Sequence, residues 1–255
     1  MQKTKFFKCI GRSGIVVILC WCTFAEGAEA PEPMRLIDSP TAGLIDKGHF
    51  GLDLRLFQGG GILARLNAGV LKRLGIGVAF GGEQIIGDQV VDWYPRVEVA
   101  LRYRLIQENK LLPAFVLGYE TQGYGAYENE RYQIKSKGLF LAFSKNYLSA
   151  LGQFALHGGL NLSREDQDGD EDLSGWVGVD KSINEELSLV AEYDLALNDD
   201  GNASLGSGKG YLNIGVRGAL APQLVLGFYL KNILGNGAGA QNPSRELAVL
   251  YTENF

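Results

Sequence analysis

Residues 96–105, R-V-E-V-A-L-R-Y-R-L, alternate without a break: Val97, Val99, Leu101, Tyr103 and Leu105 fall on one side, and Arg96, Glu98, Ala100, Arg102 and Arg104 on the other. A pleated strand sends successive side chains to opposite faces, so this segment predicts a strand with one apolar face and one charged face. In a soluble sheet the apolar face would be the core. In an outer-membrane barrel the sense is reversed, with apolar residues toward lipid and charges toward the interior, and about ten residues is the length a tilted strand needs to cross. The period alone does not choose between these two solutions.

The N-terminus bears on the choice. Residues 1–30 read as a secretory signal peptide: Lys3, Lys5, Lys8 and Arg12 precede an apolar run from Gly14 to Ala25, and Ala28-Glu29-Ala30 offers a small-x-small cleavage site. All three cysteines (Cys9, Cys20, Cys22) lie in this leader, so the mature chain predicted from Pro31 onward has none and cannot use disulfides. It carries 20 Lys and Arg against 27 Asp and Glu, a net charge of −7 that argues against a nucleic-acid partner. No apolar run there approaches the ~18 residues of a membrane helix, so a membrane-spanning fold would have to be a closed barrel, which satisfies every backbone group internally.

Residues 31–48, with two prolines and no sustained period, read as a periplasmic lead-in; the barrel is expected over residues 49–255. Alternation or apolar patterning marks twelve segments: His49–Gln58, Ile62–Leu71, Leu74–Gly82, Arg96–Leu105, Leu112–Thr121, Gly138–Phe143, Leu148–Asn161, Leu173–Asp180, Leu187–Leu197, Gly210–Ala219, Leu224–Ile233 and Glu246–Phe255. Apart from the first hairpin, the connections alternate short and long. That rhythm predicts an all-β, closed antiparallel transmembrane barrel of about twelve strands with short periplasmic turns and long extracellular loops in the cell outer membrane. Tyr251 and Phe255 near the C-terminus resemble the terminal aromatic signal read by the barrel-assembly machinery, with Glu253 departing from the usual pattern.

The assignment of faces places Asp53, Arg55, Arg65, Arg96, Glu98, Arg102, Arg104, Glu120, Glu192, Asp194, Arg217 and Lys231 in the lumen, either as a structural ion-pair network or as the wall of a charge-divided pore attracting anionic saccharides. No catalytic constellation stands out. His157 is followed by Gly158-Gly159, and neither it nor His49 has a serine at the His-x-Ser spacing of barrel lipid hydrolases. Asp166–Asp172 (D-Q-D-G-D-E-D) resembles the opening of a calcium loop but lacks its downstream bidentate glutamate, so it reads as a solvated loop tip, able at most to bridge divalent cations to lipopolysaccharide. No cofactor or resident metal is expected.

Leu36–Gly48 (LIDSPTAGLIDKG), Pro113–Tyr127 (PAFVLGYETQGYGAY) and Leu189–Asp194 (LVAEYD) resemble segments of the YjbH-type outer-membrane barrels. That resemblance implies an envelope role connected with exopolysaccharide secretion; the missing catalytic partners favour a non-enzymatic one, and a barrel of this kind would contact outer-membrane lipid and lipopolysaccharide. The expectation is therefore a narrow pore or accessory barrel for envelope or polysaccharide export. The alternatives are a structural or adhesive barrel closed by its own ion pairs and, third, an outer-membrane enzyme.

Overall fold

The computed structural model describes residues 32–149, 152–201, 204–207, 209–237 and 243–254; the proposed signal peptide and Phe255 lie outside them. Twelve strands form one antiparallel sheet: β1 (His49–Phe57), β2 (Gly61–Leu71), β3 (Leu74–Glu83), β4 (Glu98–Ile106), β5 (Ala114–Glu120), β6 (Gly138–Ser149), β7 (Gly152–Leu162), β8 (Ser174–Ser182), β9 (Leu187–Asp194), β10 (Tyr211–Ala221), β11 (Leu224–Lys231) and β12 (Ser244–Asn254). Each strand pairs with the next. The first pairs with the last, Asp53 opposite Leu250 and Arg55 opposite Ala248, so the sheet closes on itself and has no free edge.

The alternation that marks each strand fixes which way its side chains point. On β4, Val99, Leu101, Tyr103 and Leu105 are exposed on the outer wall while Glu98, Arg102 and Arg104 are buried within. The same outward apolar series continues on neighbouring strands through Ile76 and Val78, Leu117 and Tyr119, Leu139 and Leu141, and Leu187 and Leu189. A soluble protein would bury such a continuous apolar surface. Here it forms the outside, and the polar residues form the inside.

Two boundaries depart from the sequence reading. No turn forms at Ser144–Tyr147: β6 runs on to Ser149, which pairs with Gly152, with Ser144 continuing the inward face and Lys145 reaching Glu108 and the carbonyls of Asn109 and Leu112. Arg96 lies just before β4, where Pro95 interrupts the ladder and the upper end of β3 pairs with the short segment Asp92–Trp93. Its side chain is 55 % exposed and does not share the buried position of the other lumen residues; its Nε donates to Glu98 Oε1 at 2.8 Å.

Long connections all leave one end of the barrel. Residues 121–137 form a further hairpin there, Tyr124–Glu128 with Arg131–Ile134. At the other end, residues 45–48 cross β2 closely: the Gly48 amide donates to the Gly69 carbonyl at 2.9 Å, and a side chain at Gly69 would strike the Asp46 backbone.

Candidate functional site

The residues before β1 do not form a free lead-in. Residues 34–44 enter the barrel from the short-turn end, reverse, and return to begin β1, with the Leu36 amide donating to Ser39 O (2.9 Å) and the Thr41 amide to Met34 O (3.1 Å). Arg35 and Pro40 bridge the two arms. Leu36, Ile37, Asp38, Ser39, Thr41 and Ala42 are almost wholly buried. The lumen is filled by the chain's own hairpin.

The inward-facing charges form its seat. Glu192 on β9 accepts from the amides of Ile37 (3.0 Å), Asp38 (2.9 Å) and Ser39 (2.9 Å), with Asn213 Nδ2 as a fourth donor at 2.8 Å. One carboxylate thus satisfies the three consecutive amides of the turn, which are buried and would otherwise be orphaned. Arginines take the opposite charge of the backbone. Arg55 donates to Ile37 O (2.7 Å), Arg102 to Met34 O (2.7 Å), Arg104 to Ala42 O (2.8 Å), and Arg217 to Arg35 O (3.0 Å) and to Leu36 O. Trp176 Nε1 donates to Pro40 O at 3.0 Å, and Leu36 fills the space left by the absent side chain of Gly178.

Side-chain pairs complete the seat. Asp38 at the hairpin tip bridges Arg55 (2.6 Å) and Lys231 (2.7 Å), and Glu246 on β12 bridges the same two cations at 3.5 and 2.9 Å. Arg35 pairs with Glu120, which also holds Arg102 at 3.6 Å, and Arg104 reaches Glu32. Alternating charges at these separations offset the cost of burying each one, provided every partner stays in place.

Of the twelve sequence-assigned lumen residues, Arg55, Arg102, Arg104, Glu120, Glu192, Arg217 and Lys231 touch the hairpin directly. The rest serve the wall. Arg65 faces Asp53 at 3.5 Å and lies 4.5 Å from the centre of the Tyr124 ring; Glu98 accepts from the Tyr132 hydroxyl at 3.2 Å; Asp194 holds Lys137. Arg96 sits at the loop end, paired with Glu98 and 5.8 Å from the centre of the Tyr127 ring. Tyr251 sits on β12 with its hydroxyl donating to Glu253 at 2.8 Å, which gives the atypical glutamate a partner near the chain end.

Two constellations escape the sequence reading. Ser144 on β6, His157 on β7 and Asp180 on β8 form a chain across three adjacent strands: Ser144 Oγ to His157 Nδ1 is 2.7 Å and His157 Nε2 to Asp180 Oδ2 is 3.0 Å. The residue types are those of a nucleophile, base and orienting acid. Ser144 Oγ, however, accepts from the Ala42 amide at 2.8 Å and is covered by the hairpin, so the chain fastens the hairpin's return arm. A spacing rule confined to one strand does not detect it, because the partners meet across the sheet.

The second constellation shapes the long loops. Arg131 in the 124–134 hairpin pairs with Asp168 and Asp199, Lys135 pairs with Asp168 at 2.7 Å, and Glu165 accepts from the amides of Tyr132 (2.7 Å) and Ser136 (2.9 Å). Asp170 accepts from the amides of Asp200 and Gly201 at 2.9 and 3.1 Å. Burial pushes the Asp168 carboxyl up, but the Lys135 hydrogen bond and the charges of Lys135 and Arg131 outweigh it, leaving the group below the usual carboxylate range. The acidic run read as a solvated tip is thus in part an ionic staple between loops. Carboxylate oxygens of Asp170, Asp172 and Asp200 lie within 4.8 Å of one another, but the last two residues are exposed and all but Asp170 lack a buried setting.

Between this loop canopy and the hairpin tip lies an external cavity of about 550 Å³, floored by Asp38 and walled by Phe57, Tyr124, Tyr211 and Lys231.

No known protein family matches the sequence, and no curated protein matches it. Among solved structures, the chain is similar to the KdgM porin (7 % identity, TM-score 0.46, covering 81 % of this chain and 99 % of that one) and the NanC porin (9 %, 0.40, 81 % and 99 %). It is also similar to an outer membrane channel from Pseudomonas putida F1 (11 %, 0.39, 84 % and 97 %). None of these likenesses carries a substrate or a mechanism across to this chain.

Proposed function

We propose that this protein is a non-enzymatic outer-membrane channel whose lumen is closed by its own N-terminal hairpin. The membrane location is supported by the continuous outward apolar wall of a closed barrel: a charge on such a face costs roughly 2–4 kcal/mol at the bilayer midplane, and the described strands keep their charges inside over their central residues, with outward-facing Lys181, Arg245 and Glu253 confined to strand ends. With that orientation the hairpin enters from the periplasmic end and the long loops face outward.

The single observation that carries the channel reading is the chemistry of the seat. Besides the apolar packing of Leu36, Ile37 and Ala42, the hairpin is held by hydrogen bonds to its backbone and by exchangeable ion pairs, with Arg55, Arg102, Arg104 and Arg217 all donating to hairpin carbonyls. A withdrawn hairpin would leave a water-filled lumen lined by arginine donors, suited to an acceptor-rich, hydroxylated solute such as a saccharide. Passage of saccharide-type solutes in envelope or polysaccharide export is the finer reading we attach to this channel.

Planar-bilayer recording tests it. Refolded residues 31–255 should be silent or open only in brief steps, and a chain beginning at residue 45 should conduct steadily. Silence from both, with insertion verified by protease protection, favours the structural or adhesive barrel instead, a reading that draws its support from the extensive ion pairing of lumen and loops.

A further inference from the structure

The external cavity differs in charge from the lumen beneath it. Six acidic residues line it (Asp38, Glu83, Glu128, Asp168, Asp194 and Glu246) against two basic ones, Arg131 and Lys231. Both cations are already engaged: Arg131 by Asp168 and Asp199, and Lys231 by Asp38 and Glu246. Asp194 is neutralised by Lys137. Glu83 and Glu128 have no ion-pair partner among the described residues, and Asp92, directly opposite Glu83 in the β3 ladder, adds to the same sign. A concave site with low-dielectric walls focuses such a field and concentrates counter-ions of the opposite charge.

The remaining wall is suited to a hydroxylated molecule. Phe57 and the largely buried Tyr211 contribute aromatic rings, and Asn129 and Gln167 add side-chain amides. The volume, about 550 Å³, lies within the range of pockets that enclose small-molecule ligands. The walls are also held in advance of binding, since Tyr211 donates to Asp199 Oδ2 at 2.6 Å and Asn213 Nδ2 to Glu192 at 2.8 Å, so little ordering would be needed.

We propose that this cavity binds a cationic, hydroxyl-rich ligand, an oligomer of amino sugars, with Glu83 and Glu128 receiving its ammonium groups and the rings and amides receiving its sugar faces and hydroxyls. An acidic oligosaccharide, the solute the arginine strand alone would suggest, meets the wrong sign at this mouth. The site belongs to the outer face of the barrel and does not depend on hairpin withdrawal.

The test is titration calorimetry of refolded residues 31–255 in detergent with a glucosamine trimer, its fully N-acetylated counterpart and a uronic-acid trimer. The cationic trimer should bind, more weakly as salt rises from about 50 to about 300 mM, and about tenfold or more weakly to the double variant Glu83→Gln/Glu128→Gln. Both positions lie at the loop end, and retention of β-structure in the variant is verified by circular dichroism. Equal binding of the N-acetylated trimer, tighter binding of the uronic-acid trimer, undiminished binding by the double variant, or no heat with the cationic trimer up to about 10 mM, where even millimolar affinity is measurable, would each overturn the proposal. None of these results bears on whether the hairpin closes the lumen, because conductance reads that separately.

Discussion

Replacement of Glu192 by glutamine should loosen the hairpin without unfolding the barrel. The side chain keeps its size, but one of its two accepting oxygens becomes an NH2 facing amide donors. All three hairpin amides bond the same oxygen, Oε2, so a glutamine oxygen placed there can still accept from each of them, but all three exchange a charged acceptor for a neutral one. Hydrogen bonds to a charged group contribute roughly 1.5–3 kcal/mol and neutral ones roughly 0.5–1.5, so the seat weakens by about 1–1.5 kcal/mol per amide, about 3–4.5 in all. A net loss of about 4 kcal/mol raises the withdrawn population about a thousandfold. Ser39→Cys reports this directly: Ser39 is fully buried, its hydroxyl has no partner, and the chain from residue 31 onward has no other cysteine. Maleimide labelling of Cys at that position should be slow in the Glu192 background and faster by about two to three orders of magnitude with Glu192→Gln, as labelling tracks the open population. Equal rates in both backgrounds would refute the assignment of Glu192 as the turn's anchor.

Other consequences are as specific. Trp176→Phe removes the bond to Pro40 O and should cost about 1 kcal/mol of hairpin seating, visible as faster labelling in the same assay. In the parent chain Trp176 should resist acrylamide quenching while the exposed Trp93 is quenched readily. Arg131→Met strips Asp168 and Asp199 of a shared buried partner and should destabilise the loop canopy by about 3–5 kcal/mol, read as protease cleavage in 163–173 with the barrel intact. Because Asp168 and Asp170 are held below the ordinary value of about 3.9, their contribution is complete above that pH and is lost as pH falls through the lowered values; loop proteolysis by an acid protease should rise only in that range. A fluorophosphonate probe should not label Ser144 in the seated state, and labelling at that residue would contradict the non-enzymatic reading.

The wall of the barrel was legible because lipid and lumen impose opposite chemistry on alternate residues. Val99, Leu101 and Tyr103 against Glu98, Arg102 and Arg104 could be sorted from the sequence with no knowledge of pairing. Glu246 was legible by the same rule, facing opposite to Leu247, and was overlooked. The hairpin was not legible. Residues 34–44 have no period, and their fold is dictated by groups far away in sequence: Glu192 is 155 residues from Ile37 and Arg217 is 182 from Arg35. What the sequence did contain was a lumen crowded with both signs of charge, and such charges must have partners. Ser144–His157–Asp180 was hidden for a related reason, since adjacency across strands depends on register. Arg96 belongs to the alternating pattern in sequence but precedes the first residue of β4, and it is 55 % exposed while paired with Glu98.

The central claim is that residues 34–44 occupy the lumen, and hydrogen exchange on membrane-inserted protein tests it most directly. The amides of Ile37, Asp38, Ser39 and Ala42 are bonded to Glu192 and Ser144 inside the barrel, so a peptide spanning 34–44 should be protected nearly as long as the strands that enclose it. Exchange of that peptide within the first seconds, with the twelve strands still protected, would show the hairpin free of the barrel and contradict the account.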